Sequence, residues 1–318
     1  MRARRAGRRG CGALKRVVSI SLGSSSRDHR TEVLVAGERF VIQRMGTDGD
    51  LRLARQLLLR YDGQVDAIGL GGMALYVGSK RKYPLRQVHN LIRGITKTPV
   101  VDGRRVKATL ELRTVDLLED RGLVRGRKIL FVMSMDRPEM ARALAARGAT
   151  VILGDAMFGL GLPIPLRSFS LVEAGAALVM PVLSRCPVGW LYPLGRCQEE
   201  ARPRSFITRY LRWAEVIAGD FHYLRRRLPG CLPGKVVVTQ TITQRDIELL
   251  RRVGVSLLIT TTPYLGGRAF AANCVEAVLV ALAGKPPQEI SGEEFRILID
   301  RAGFHPAVLP LGEMGEDQ

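Results

Sequence analysis

The stretch ILFVMSMDRPEMARALAARGATVILGD, residues 129–155, decides the fold class. Ile129 to Met133 is a continuous apolar run of strand length. Pro138 to Arg147 places Met140, Ala141, Leu144 and Ala145 on one helical face, and Val151 to Leu153 is again a strand. Apolar runs without alternation belong to strands buried on both faces, and a strand, helix, strand order joins such strands in parallel. The unit recurs downstream. Val216 to Ala218, Val236 to Thr239 and Leu257 to Thr260 read as strands, and Thr243 to Asp246 caps a helix. A long apolar helix is expected from Ala269 to Leu282, and a last one between the capping box at Ser291 to Glu294 and the stop at Gly303. These elements predict an α/β fold with a Rossmann-like parallel sheet over residues 123–318, and ligands are expected at the carboxyl ends of its strands.

Upstream, Val17 to Leu22, Glu32 to Val35, Phe40 to Gln43 and Val65 to Leu70 have strand character. Asp48-Gly49-Asp50 offers a cap for a helix carrying Leu51, Ala54, Leu57, Leu58 and Tyr61. Residues 74–85 resemble a hairpin, and helices are expected near Leu85 to Ile95 and Val106 to Leu118. This predicts a smaller N-terminal α/β domain, residues 17–122, behind a basic flexible tail at 1–16.

The chain has 318 residues, 46% hydrophobic and 25% charged, which suits two domains with substantial cores rather than disorder. Its longest apolar stretches, Val172 to Leu183 and Cys274 to Gly284, fall short of the roughly 20 residues a membrane-spanning helix needs, so no membrane partner is expected. The N-terminus lacks a secretory apolar segment, and the five cysteines show neither metal spacing nor a disulfide pattern; a reducing cytoplasm and no metal are expected. A net charge of +19 invites a nucleic-acid reading, but seven of the positive charges lie in the first sixteen residues and aromatics make up only 6%. Nucleic acid is therefore a secondary candidate behind a small-molecule substrate. Nothing in the sequence excludes a homo-oligomer.

The segment Thr260-Thr261-Thr262 to Gly266-Gly267-Arg268 lies between an apolar strand and an apolar helix, where hydroxyls, glycine amides and a fixed charge suit an anion. Ser134 opens the turn where a dinucleotide fold carries its glycines, and Asp155, at the end of the next strand, stands where an acid would hold a ribose hydroxyl. Ser19 and Ser21 share a face of the first strand, with hydroxyls suited to carboxylate or polyol groups. Asp220 and His222 share a face if that backbone stays extended, a pairing suited to proton transfer. Lys97 and Lys107 are the lysines nearest to strand ends.

Taken together, VVSISLGSSSRDH (17–29), GTDGD (46–50), KTPVVDG (97–103), GLPIPLRS (161–168), WAEVIAGDFHYLRR (213–226) and TTTPYLGGRAFAANCVEAVLVAL (260–282) resemble a group of bacterial proteins known as quinate 5-dehydrogenases. The resemblance implies oxidation of quinate, or a similar cyclic polyol acid, to the 3-dehydro ketone with NAD or NADP. Ser19-Ile20-Ser21 resembles the substrate motif of the wider quinate/shikimate dehydrogenase family. Gly46-Thr47-Asp48-Gly49 resembles the segment whose aspartate partners the catalytic lysine. The family's lysine has no counterpart between Ser21 and Thr47, and its glycine loop is missing at Ser134. The implied site has Lys107 or Lys97 with Asp48 managing the proton, Ser19 and Ser21 on the substrate, and Ser134, Asp155 and the 260–268 loop on the cofactor. The alternative is a non-catalytic α/β protein binding a phosphorylated or carboxylated metabolite.

Overall fold

The computed structural model describes residues 14–78, 81–190, 195, 202–265 and 267–312. Of the expected basic tail, 1–13 lie outside the described residues, whereas Lys15 and Arg16 already belong to the first strand.

The first lobe contains β1 (Lys15–Ser21), β2 (His29–Val35), β3 (Glu38–Gly46), α1 (Leu51–Tyr61), β4 (Ala67–Gly71), the short hairpin β5 (Tyr76–Val77) and β6 (Tyr83–Pro84), α2 (Arg86–Ile92) and β7 (Val100–Val101). Its sheet has the order β2-β3-β1-β4-β7, with β2 antiparallel and the other strands parallel. α3 (Arg104–Asp120) then crosses to the second lobe, which holds β8 (Lys128–Phe131), α4 (Pro138–Ala146), β9 (Thr150–Leu153), α5 (Phe169–Leu183), α6 (Ser205–Trp213), β10 (Val216–Ala218), α7 (Phe221–Arg225), β11 (Val236–Thr239), α8 (Gln244–Arg252) and β12 (Leu257–Thr260). A hairpin, β13 (Tyr264–Leu265) and β14 (Arg268–Ala269), precedes α9 (Ala272–Ala283), α10 (Gly292–Arg301) and β15 (Ala307–Pro310). The second sheet has the order β15-β12-β11-β10-β8-β9, parallel except for β15. The strand order reverses between β8 and β10, which makes their carboxyl ends a topological switch point.

Alternation along β1 divides its side chains between two cores. Val18 and Ile20 pack with Leu57 and Leu58 of α1, while Val17 faces the same side as Val275 and Val278 of α9. α9 and α10, which lie in sequence between β12 and β15 of the second sheet, therefore complete the core of the first lobe, so a sequential division at Gly122 does not follow the packing. α3 joins both cores, with Val106 and Leu110 beside α9 and Val115 and Leu118 beside β8.

Three local expectations change. The helix expected from Ala269 begins at Ala272, because Ala269 pairs with Tyr264 in a hairpin. Residues 221–225 are helical rather than extended, since the Asp220 carboxylate accepts the free N–H groups of His222 and Tyr223 and caps the turn. β7, β15, α5 and α6 were not anticipated as elements; β7 is too short to show a pattern, and its pairing with β4 defines it.

α9 reaches the sheet through Gly69, where an added Cβ would stand 2.7 Å from the Asn273 carbonyl oxygen. Gly69→Ala is expected to push α9 off β4 and lower stability by about 1–3 kcal/mol. Thermal unfolding checks this against Gly292→Ala, whose Cβ meets nothing within 4 Å and which should leave the midpoint unchanged or slightly raised.

Candidate functional site

The carboxyl ends of both parallel sheets face each other across a cleft. From the first lobe it is lined by Ser19 and Ser21 at the end of β1, Arg44 of β3, Gly71 and Gly72 at the end of β4, Asp102 after β7 and Asn273 in the first turn of α9. Lys107 of α3 and, from the second lobe, Asp136, Asp220, His222, Gln240 and Thr241 complete it. The cavity between these residues is about 110 Å³. A larger chamber of about 250 Å³ adjoins it toward α4 and the β5–β6 hairpin, sharing Ala74, Asp102, Lys107 and Asp136.

The two serines have defined partners. Asn273 Nδ2 donates to Ser19 Oγ at 2.6 Å, and Ser21 Oγ accepts from both Arg44 Nη2 and the Gly23 N–H at 3.1 Å. Arg44 is held in turn by the Ser24 carbonyl and the Asp28 carboxylate. Burial lowers the pKa of its guanidinium, and the neighbouring Asp28 works against that shift.

Lys107 Nζ contacts both carboxylate oxygens of Asp136 at 2.9 Å. Burial by itself would push the Asp136 carboxyl up. The charges of Lys107 and Arg137 outweigh it and hold the group below its ordinary range. Arg137 is almost wholly buried and pairs with Glu111 of α3. Burial pushes the Glu111 carboxyl up, and the two buried partners anchor α3 to the turn after β8. Burial, followed by the charge of Arg27, lowers His222 to about 4, which leaves a neutral imidazole whose Nδ1 has no hydrogen-bond partner among the described residues.

The cleft thus brings together Ser19, Ser21, Lys107 and His222. Asp48 lies elsewhere: it accepts the N–H and hydroxyl of Ser25 and is not Lys107's partner, a role taken by Asp136. Lys97 is exposed before β7, at the amino end of that strand, with its N–H on Asp62 and its stem over Gly63; it is not part of the cleft. Because residues 221–225 are helical, Asp220 binds backbone N–H groups and does not orient the His222 ring.

The expected nucleotide residues are engaged with the protein itself. Asp155 is buried, and its two oxygens accept the Ser134 hydroxyl at 2.6 Å and the Met135 N–H at 2.9 Å. Burial raises its pKa, against those bonds. Thr260 and Thr262 donate their hydroxyls to the carbonyls of Thr262 and Phe270, and the Thr261 N–H goes to Thr239, all within the buried end of the second sheet. Gly267 and Arg268 belong to the β13–β14 hairpin, with Arg268 on His29 and the Arg27 carbonyl; Gly266 lies outside the described residues. Asp136 and Glu139, both acids, flank the start of α4, where a pyrophosphate would approach its N–H groups. The polar side-chain atoms of Ser134, Asp155, Thr260 and Thr262 are thus taken up by hydrogen bonds within the protein.

Sequence reasoning missed Arg44, Gln240, Asn273 and Asp136 as the lysine's partner. A polar residue within an apolar helical run was a usable signal for Asn273 and for Glu276 on the same helix. Glu276 is buried and accepts the Arg105 N–H at the start of α3, whose N-cap Gly103 has no side chain to offer.

A family model described as a domain of unknown function, DUF8754, matches residues 105–311. The chain belongs to the DUF8754 family. A second model, the domain of unknown function DUF8753, matches residues 16–102, so the two meet where β7 gives way to α3. The DUF8754 segment carries Lys107, Asp136, His222, Gln240 and Asn273, and the DUF8753 segment carries Ser19, Ser21 and Arg44. No curated protein matches the chain in sequence.

Among solved structures, a glutamate dehydrogenase from Thermus thermophilus is similar at a TM-score of 0.42 and 15% identity, over 92% of this chain and 74% of that one. A 5-methylthioribose transporter solute binding protein from Thermotoga lettingae gives 0.36 and 10%, over 93% and 85%. GanP, a glucose-galactose binding protein from Geobacillus stearothermophilus, gives 0.34 and 8%, over 95% and 99%. These are distant likenesses. Among the described residues no helix is long and apolar enough to cross a membrane.

Burial, and after it the charge of Asp102, raises Glu276 to about 7. The folded chain therefore keeps this proton over a range in which the unfolded chain has lost it. The stabilisation is complete below the ordinary glutamate pKa and is lost as pH rises to about 7. His29 and His222, both lowered to about 4, act oppositely and add stability as pH rises from there toward their ordinary 6.5. Between about pH 5 and 7 the melting temperature of Glu276→Gln is expected to rise more steeply, or fall less, than that of the unaltered protein. Parallel curves would contradict this role for Glu276.

Proposed function

We propose that the cleft binds a small hydroxylated carboxylic acid, of which quinate is the type, and that Lys107 and Asp136 move a proton at one of its hydroxyl groups. The carrying observation is the orientation of Ser21. Its oxygen already accepts two N–H donors, from Arg44 and Gly23, so its own hydrogen is left to donate into the cleft. Ser19, two residues earlier on the same face, accepts from Asn273. Two adjacent serine hydroxyls beside a buried guanidinium suit a carboxylate or a vicinal diol.

Lys107 supplies the second half. Its ammonium reaches the cleft beside a carboxylate kept ionised by its surroundings; once it has given one proton to solvent, the amine accepts the proton of a ligand hydroxyl, and the ammonium so restored is again neutralised by Asp136. Neutral His222 and the Gln240 amide, whose Oε1 has no hydrogen-bond partner among the described residues, are available to bind further hydroxyls. This arrangement supports the substrate side of a quinate dehydrogenase.

A second reading, retention of the same acid without turnover, is favoured by the nucleotide side. Asp155, Thr260 and Thr262 satisfy their polar atoms internally.

Thermal unfolding with quinate and shikimate, with and without NAD or NADP, tests the proposal, because a ligand bound only by the folded state raises the melting temperature. Quinate is expected to raise it, and Ser21→Ala to remove most of that rise. Lys107→Met is expected to retain binding and abolish any quinate-dependent reduction of nucleotide. A quinate shift that neither nucleotide enlarges, with no reduction, selects retention over oxidation. No shift with either acid at millimolar concentration sinks both readings.

A further inference from the structure

We infer that a second site, for a phosphorylated small molecule, lies outside the cleft on the far side of the β5–β6 hairpin. A groove of about 450 Å³ runs between this hairpin, α2 and the end of α5. Such a volume is in the range of about 300–1,000 Å³ typical of small-ligand sites.

Its chemistry is one-sided. Arg81, Lys82, Arg86 and Arg185 line it with His89 and Tyr83, and no carboxylate among the described residues does so. Several arginines elsewhere in the chain do have a carboxylate partner, as in Arg113 with Asp300, Arg127 with Glu215 and Arg147 with Asp116. Four cations lining one concavity, with no ion-pair partner among the described residues, favour an anion, and guanidinium forks with an ammonium suit phosphate oxygens. The groove is also built. The Arg86 N–H donates to the Ser184 carbonyl at 3.2 Å, tying α2 to the end of α5, and Arg185 Nη1 donates to the Pro181 carbonyl at 2.8 Å.

An independent observation points to a ligand. Tyr83 is only 6% exposed, and its hydroxyl is buried with no hydrogen-bond partner among the described residues. A buried phenol is ordinarily satisfied, and a phosphate oxygen entering the groove would supply the acceptor. The Arg81 guanidinium stands over the same ring, 5.4 Å from its centroid. The two rings lining the groove, Tyr83 and His89, are buried and half-buried, leaving no open platform on which successive bases could stack. That favours a small phosphate ester or polyphosphate over a nucleic-acid strand. Lys82 also borders the larger chamber of the cleft, so one hairpin forms a wall of both cavities.

Calorimetric titration of the full chain with tripolyphosphate at about 0.15 M salt, where diffuse attraction is largely screened, tests the site. One saturable event is expected. Arg86→Gln combined with Arg185→Gln should weaken it about tenfold or more, and Tyr83→Phe several-fold. A charge-matched pair on exposed faces of α8 and α10, Arg252→Gln with Arg296→Gln, should change it less than about twofold. Tyr83→Phe removes a single hydroxyl and carries the test alone if the double variant does not fold. The inference is overturned by unsaturable binding, by equal losses in the control pair, or by undiminished binding in the groove variants. It is also overturned if a single-stranded oligonucleotide binds far more tightly than tripolyphosphate and is lost in the same variants, which would assign the groove to nucleic acid.

Discussion

The seating of α9 on the first sheet is the contact on which the rest of the molecule depends. This helix is buried along nearly its whole length, and each fully buried valine or leucine contributes about 1.5–3 kcal/mol, so its return from the second lobe closes the first lobe's core. The close approach is permitted by Gly69 of β4 and by Gly103 between β7 and α3, whose left-handed backbone also starts α3. The same seating places Asn273 on Ser19 and Glu276 on the first N–H groups of α3. One packing event thereby sets the geometry of the serine pair and the position of the helix that carries Lys107.

Electrostatics finish the cleft from the other side. Arg137 and Glu111 form an ion pair hidden from water, and such a pair is costly to break because either partner alone would be an uncompensated buried charge. It ties α3 to the turn after β8 and stands beside Asp136, so the partner of Lys107 is positioned by the second lobe while the lysine is positioned mainly by the first. A relative movement of the lobes would therefore alter the distance between Lys107 and Asp136. The neighbouring imidazole of His222 stays neutral because it is buried and, after that, because of the charge of Arg27.

Much of this was legible in the residues. The strand-helix-strand pattern at 129–153 and the caps at Asp50, Thr243 and Ser291 marked elements that the structure contains. Alternation along β1 put Ser19 and Ser21 on one face, and they line the cleft. The Lys107 partnership was not legible, because Asp136 lies 29 residues away and is brought near by the crossing of α3 over the second sheet. Asp48 looked the better partner from its local motif, yet its carboxylate is taken up by the N–H and hydroxyl of Ser25, 23 residues away. The threonines at 260–262 looked like donors for an anion, and a buried strand end consumed them, as unsatisfied hydroxyls there would have been costly.

The sequence alone determined the α/β class, the order of most elements and the chemistry available at strand ends, because these follow from local periodicity, capping and backbone stereochemistry. Only the tertiary structure decided which strand ends meet. The two most apolar stretches of the chain make the point. α9 is sealed between the first sheet, α3 and α10, whereas α5 keeps Leu171, Leu178 and Val182 exposed, Leu178 to 81%. Their compositions are alike, and the difference lies in which surface each helix can reach once the sheets have formed. Burial is a property of partners brought together from distant parts of the chain, and no local pattern encodes it.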